Sequence, residues 1–214
     1  MLTDCKKGKM MIFKRLLTVL LSIFILNVPS IEARDLIFEF KSGAFLPTDH
    51  NYREIYGTAS VFYNPEFTVQ LVEEKPWYMF FSVAYTSKEG KSVGFCTRTK
   101  VEILPLGIGV KYVIPFRYGN GYVGLGWQPA YLRTFNCSEF VQNYTAKWGQ
   151  GGIGKLGVYF DLPRDFRFDI FADYSFVHVG SCSKNSCCNA TKFVVPIKAT
   201  VSGALLGVGI GYCF

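Results

Sequence analysis

The sequence lacks any run of about 20 apolar residues, the length that a helix needs to cross a bilayer. The apolar segment Leu16–Leu26 has only eleven residues. Histidine is scarce, with two in the whole chain. No basic patch interleaved with aromatic residues is present, so nothing predicts a nucleic-acid partner. These absences exclude spanning by helices, and they leave strands as the remaining way to cross a membrane.

The first 33 residues predict a secretion signal. Five basic residues accompany the apolar segment, and small residues up to Ala33 follow it. We therefore expect a signal peptide over 1–33 and one domain over 34–214. Removing the five basic and two acidic residues of this segment from 23 and 16 lowers the net charge from +7 to +4. The alternative is a retained membrane anchor.

The remaining chain predicts eight strands separated by turns and loops. The expected strands are about 36–46, 55–72, 77–86, 100–114, 122–135, 151–160, 166–177 and a last one ending at Phe214. Each reaches the roughly 9–11 residues that a tilted strand needs to cross a membrane. Short turns alternate with longer loops, which favours an all-β, eight-stranded antiparallel up-and-down transmembrane barrel. Four prolines interrupt these segments, and we expect bulges or the rim to hold them: Pro65, Pro105, Pro129 and Pro196.

The last strand has one bulky apolar face and one nearly bare face. Leu206, Val208 and Ile210 alternate with glycines, a pattern of period two. An apolar outside and a small-residue inside suit a narrow barrel in lipid. The ending also resembles the C-terminal assembly signal of bacterial outer-membrane barrels, carried here by Gly209, Tyr212 and Phe214. A buried strand of a soluble protein is the alternative.

Ionisable residues collect on the opposite face of the predicted strands. They form a balanced set of four acids and four bases: Glu39, Lys41, Glu66, Lys111, Lys155, Arg167, Asp169 and Asp173. Tyr56, Tyr78, Gln70 and Gln128 have the same parity. Eight strands enclose a space that side chains can fill, so the set predicts a salt-bridged, filled lumen. The alternative is a narrow charged pore.

The predicted outer loops contain five cysteines: Cys96, Cys137, Cys182, Cys187 and Cys188. An odd number cannot pair completely within one chain, so we expect at least one to be free or bonded to another protein. Cys213 lies at the opposite end of the barrel, too far for a disulfide with a loop cysteine. Inert cysteines and a zinc site remain alternatives; we expect no metal and no cofactor.

The chain as a whole resembles the small eight-stranded outer-membrane barrels of the OmpA, OmpX and opacity type. The segments Val101–Tyr112 and Phe171–Tyr174, with the loop cysteines, look most like cysteine-bearing barrel proteins of chlamydia-like bacteria. The resemblance implies a Gram-negative outer membrane, periplasmic termini and insertion by the outer-membrane assembly machinery. It also implies a structural or adhesin-like surface-contact role, with disulfide-linked envelope proteins or a host surface as partners.

The resemblance carries over no catalytic residues, and we expect no enzyme. A rim-site lipid-modifying enzyme is nevertheless a third possibility beside the surface-contact protein and the small porin-like pore. It would depend on His50 or His178, with Asp49 and Ser181 nearby in the sequence. A catalytic histidine needs a positioned nucleophile and an orienting partner. Nothing in the sequence positions either one.

Overall fold

The computed structural model describes residues 36–73, 75–91, 98–136, 144–179 and 199–214. They form one antiparallel sheet that closes on itself. The strands are β1 Leu36–Pro47, β2 Ser60–Gln70, β3 Trp77–Val83, β4 Tyr85–Lys91, β5 Arg98–Phe116, β6 Gly119–Trp127, β7 Ala130–Asn136, β8 Tyr144–Asp161, β9 Phe166–Val179 and β10 Ala199–Cys213. One helix, α1, spans His50–Tyr56.

These ten segments make a ring of eight strands. β3 and β4 are one strand interrupted at Ala84, and β6 and β7 are one strand interrupted at Gln128 and Pro129. The ring closes where β1 pairs with β10, from Ile37 opposite Cys213 to Pro47 opposite Gly203. The predicted eight-stranded antiparallel barrel is confirmed. Within the described residues, no helix is long and apolar enough to cross a membrane.

The prolines of the wall lie beside these interruptions. The carbonyl of Pro105 accepts a hydrogen bond from the Ala84 amide at 2.9 Å, and that of Pro129 accepts one from Leu106 at 2.8 Å. The pairing of β2 with β3 and β4 likewise skips Pro65. A proline has no N–H to donate, and at these places the neighbouring strand changes its pairing. Pro196 lies outside the described residues.

The two faces of the wall differ sharply in chemistry. Large apolar side chains point outward and stay exposed, among them Leu125 at 74 % and Val208 at 51 %. Lys41, Glu66 and Lys111 point inward and have no exposed surface at all. A water-soluble protein would show the reverse arrangement. Such an apolar outside requires a lipid surrounding.

The sequence-based boundaries were wrong at the end of the barrel opposite Leu36 and Phe214. β1 extends to Pro47, and helix α1 takes up residues 50–53 of the predicted loop and the predicted start of strand 2 at Ile55. The Asp49 carboxylate caps the first turn of α1 by accepting from the Tyr52 amide at 2.9 Å. Residues 87–91 and 144–148 belong to strands β4 and β8, not to loops. Their outward residues are polar or aromatic, so the apolar alternation used to find strands stops before the strands do.

Candidate functional site: the barrel lumen

Seven ionisable residues from five strands meet in the middle of the lumen. They are Glu39 and Lys41 from β1, Glu66 from β2, Lys111 from β5, Lys155 from β8, and Asp169 and Asp173 from β9. We call them the lumen charge cluster. Every member is at most 3 % exposed. Alternation along each strand turns these residues inward because their sequence neighbours are the lipid-facing residues.

Glu66 is the hub of the lumen charge cluster. Its carboxylate lies 3.1 Å from the Lys41 ammonium and 2.8 Å from that of Lys155, and it also contacts Lys111. Lys41 extends the network to Asp169 at 2.7 Å. Charges without water are tolerated when they are paired and hydrogen-bonded. The three lysines thereby tie together strands that are distant in sequence.

Two tyrosines complete the cluster and pack across the lumen. The rings of Tyr122 and Tyr159 stack with centroids 4.5 Å apart. The Tyr122 hydroxyl donates to Asp169 at 3.0 Å, and Tyr159 donates to Glu39 at 3.2 Å while accepting from Lys111 at 2.8 Å. Neither tyrosine belongs to the predicted set of lumen residues. Parity along the strand was the available signal, because Tyr159 lies four residues beyond Lys155 and Tyr122 lies six residues before Gln128, both predicted to face inward.

Arg167, the eighth charge in the predicted set, lies apart from the cluster. Its guanidinium pairs with Asp161 at 2.8 Å at the lower rim, by which we mean the end of the barrel where β1 begins and β10 ends. Asp161 also accepts a hydrogen bond from Asn120 at 3.0 Å. The long side chain reaches this partly hydrated position, where desolvation is less severe. The cluster therefore contains three lysines and four carboxylates, in place of the balanced eight that the sequence predicts.

Above the cluster the lumen becomes apolar. Phe45, Phe62, Ile103, Val177 and Leu205 belong to a buried group that fills this half of the barrel. A cavity of about 30 Å³ lies between the two halves, near Gln128 and Ser175. A space of this size holds about one water molecule. The lumen is filled at both levels.

Helix α1 packs on top of this apolar half. The centroids of the Tyr52 and Phe45 rings lie 6.2 Å apart, with the rings edge to face. The Tyr56 hydroxyl lies 3.3 Å from the Thr99 hydroxyl. Burial raises the pKa of both Tyr52 and Tyr56 because the phenolate would lose its water, although the Thr99 hydrogen bond partly opposes this for Tyr56. Tyr56 thus faces the lumen from a helix and not from the predicted strand.

The other predicted residues fall in three places. Tyr78 and Gln70 lie near the lower end of the wall, with the Gln70 amide donating to the Lys75 carbonyl at 3.2 Å. The five loop cysteines and Ser181 lie outside the described residues, as do residues 1–33. His50 is exposed at the start of α1, and His178 contacts the Phe176 ring at 4.6 Å and the Thr200 hydroxyl at 3.3 Å. The Asp49 carboxylate is used as the helix cap.

Comparison with solved structures assigns this architecture. The chain is similar to Ail, the attachment invasion locus protein of Yersinia pestis, with a TM-score of 0.52, 15 % identity, and coverage of 85 % of this chain and 99 % of that one. It is similar to the outer-membrane protein OprG of Pseudomonas aeruginosa, with a TM-score of 0.53, 15 % identity, and coverage of 85 % and 96 %. The fold is that of a small outer-membrane barrel. No protein-family model matches the sequence, and no curated protein matches it.

Proposed function

We propose that the protein is a bacterial outer-membrane barrel with a closed lumen that acts through its outer loops, as an envelope structural or adhesin-like surface-contact protein. One observation carries this proposal: the lumen charge cluster blocks the barrel with side chains that have no exposed surface, including Lys41, Glu66 and Lys111. A barrel closed in this way does not depend on transport for its role. The loops at the outer end of the barrel are then the part available for function.

The membrane setting follows from the same proposal. The apolar outer face fits a bilayer, with both termini at the periplasmic end and the predicted loops outside. Gly209, Tyr212 and Phe214 would be the signal read by the assembly machinery. The loop cysteines would link the protein to other envelope proteins or stabilise a contact with a host surface.

The fold neighbour Ail is consistent with such a role. It is named the attachment invasion locus protein, and one of its structures is a complex with the heparin analogue sucrose octasulfate. The likeness to this chain concerns the fold, so the attachment role here rests on the closed lumen. We propose no catalytic activity, since Asp49 caps α1 and His178 contacts a phenyl ring and a threonine.

Loop replacement tests the surface-contact role. The segments 92–97, 137–143 and 180–198, which lie in the loops that the sequence predicts, would each be replaced by a short Gly-Ser linker in a protein displayed on bacteria. We expect adhesion to epithelial cells, or disulfide cross-linking to envelope proteins, to fall for at least one replacement. The matched control replaces the turn at 162–165 at the opposite end. Unchanged adhesion and cross-linking in all three variants would contradict the proposal.

The pore alternative requires water to pass the level of Glu66. In the part of the chain that the structure describes, the three lysines and two tyrosines around it are at most 3 % exposed, and a cavity of about 30 Å³ lies above them. Ion passage would need the Lys41 contacts to Glu66 and Asp169 to break. Separating buried charges in this way is strongly unfavourable.

A further inference from the structure

The outward face of the barrel changes character on three neighbouring strands, β5, β7 and β8. Along β5 the outward residues are apolar from Phe116 to Leu104, and then become Glu102 and Lys100. On β7 the change comes at Arg133, and on β8 at Gln150. The apolar band that faces lipid therefore ends at these residues. Whatever lies beyond them faces the region just outside the hydrocarbon.

These strands continue well past that boundary. β5 has 19 residues and β8 has 18. A strand that rises about 3.3 Å per residue and tilts by about 40° crosses an apolar band of about 25 Å with roughly ten residues. The remaining length stands above the membrane as a sheet whose outward side is exposed. Tyr144 is 47 % exposed there, and Trp148, at the boundary, is 58 % exposed.

Aromatic and basic side chains share this surface. We define the outer-rim patch as Lys100, Tyr131, Arg133, Phe135, Tyr144 and Trp148. The Tyr131 and Trp148 rings lie 5.0 Å apart, and the Phe135 and Tyr144 rings 5.3 Å apart. The Arg133 guanidinium lies 4.9 Å from the Tyr131 ring and donates to its hydroxyl. The patch is thus a platform of rings with a cation held against it.

The patch keeps a net positive charge, although Lys100 is paired. Glu102 lies opposite Arg133 in the β5–β7 pairing, but its carboxylate is engaged by Lys100 at 2.9 Å. Among the described residues, Arg133 has no ion-pair partner, and its fork of N–H donors is only partly used. On the same outward side Glu89 lies opposite Lys100, and Lys91 lies opposite Arg98, so these four bases and two acids sum to a net charge of +2. Exposed guanidinium groups of this kind favour phosphate.

We propose that the outer-rim patch binds a phosphorylated glycolipid of the outer leaflet, with a phosphate on Arg133 and Lys100 and sugar rings against the aromatic side chains. The occupant follows from position and charge: the patch starts where the apolar band ends, at the height of lipid headgroups, and it is basic. An aromatic girdle alone would explain the rings, but not the unpaired arginine. The inference rests on the proposed orientation with this end outside the cell.

Native mass spectrometry of the refolded protein in detergent tests the assignment. The probes are bisphosphorylated lipid A, the same lipid A without phosphates, and a sulfated heparin-type oligosaccharide. We expect the wild type to prefer bisphosphorylated over dephosphorylated lipid A by about tenfold, since charge-assisted hydrogen bonds are the strong ones. Lys100→Gln combined with Arg133→Gln should remove that preference.

The control pair is Lys75→Gln with Arg117→Gln, which removes two exposed positive charges at the opposite end. It should bind lipid A like the wild type. Equal binding of both lipid A forms by the wild type, or an unchanged preference in the Lys100 and Arg133 variant, would overturn the proposal. Tighter binding of the sulfated oligosaccharide at the same two residues would overturn the lipid assignment. All variants should keep a heat-modifiable gel shift, which shows that the barrel has folded. Folded wild-type protein that does not bind lipid A would refute this proposal and leave the barrel fold unaffected.

Discussion

Replacing Lys41 by methionine removes a buried ammonium while keeping a side chain of similar length. Lys41 lies 2.7 Å from Asp169, 3.1 Å from Glu66 and 3.2 Å from the Tyr122 hydroxyl, and it has no exposed surface. The change leaves four carboxylates against two lysines in the lumen charge cluster. Removing one partner of a buried ion pair costs about 3–5 kcal/mol, because the other charge stays buried without compensation. We expect Lys41→Met to lower the free energy of unfolding by that amount.

The matched control is Lys100→Met, which breaks the partly exposed ion pair with Glu102 at 2.9 Å. Such surface pairs contribute about 0–1 kcal/mol. Unfolding would be followed in urea with the barrel refolded in lipid vesicles, using tryptophan fluorescence and the heat-modifiable gel band. A loss for Lys41→Met that is no larger than the loss for Lys100→Met would refute a lumen held by buried charge pairs.

Three further results are expected. Leu125→Arg should lower stability in vesicles by about 2–4 kcal/mol, whereas a soluble protein would tolerate arginine at a residue 74 % exposed; a change under about 0.5 kcal/mol would contradict a lipid-facing wall. Gly43→Ala should reduce the folded gel band, because its Cβ would lie 2.6 Å from the Gly207 Cα across the closing seam, and Gly154→Ala, whose Cβ would meet only Leu125 Cδ2 at an ordinary contact distance of 3.9 Å, should not. In ultraviolet titration Tyr52 and Tyr56 should stay neutral above pH 10, and stability should fall as pH rises past the tyrosine pKa of the unfolded chain, about 10; titration of all tyrosines with one midpoint near pH 10 would contradict their burial.

The membrane-crossing part of the fold follows from the sequence because lipid imposes a simple rule there. Alternation turns Leu206, Val208 and Ile210 outward on β10 and places Lys41 and Glu66 inside on β1 and β2. A charge on the wrong face would be costly, so the pattern admits one register. The same alternation predicts an inward position for all seven residues of the lumen charge cluster.

The end of the barrel opposite Leu36 and Phe214 was less predictable because that rule ends with the hydrocarbon. Strands β4 and β8 continue there with polar and aromatic outward residues, so the sequence pattern predicts loops where these strands continue. Helix α1 has a capping residue, Asp49, but it is only seven residues long and forms by packing its tyrosines on the lumen core. Arg167 has the right parity for the cluster, and its side chain nevertheless pairs with Asp161 at the rim.

Conductance in planar bilayers tests the closed lumen most directly. A chain of residues 34–214 would be refolded, checked for a heat-modifiable gel shift, and inserted into a bilayer under applied voltage. The buried contacts among Lys41, Glu66 and Asp169 predict a baseline without unitary current steps. Stable, reproducible steps from protein that shows the folded gel band would contradict a filled barrel and favour the small pore.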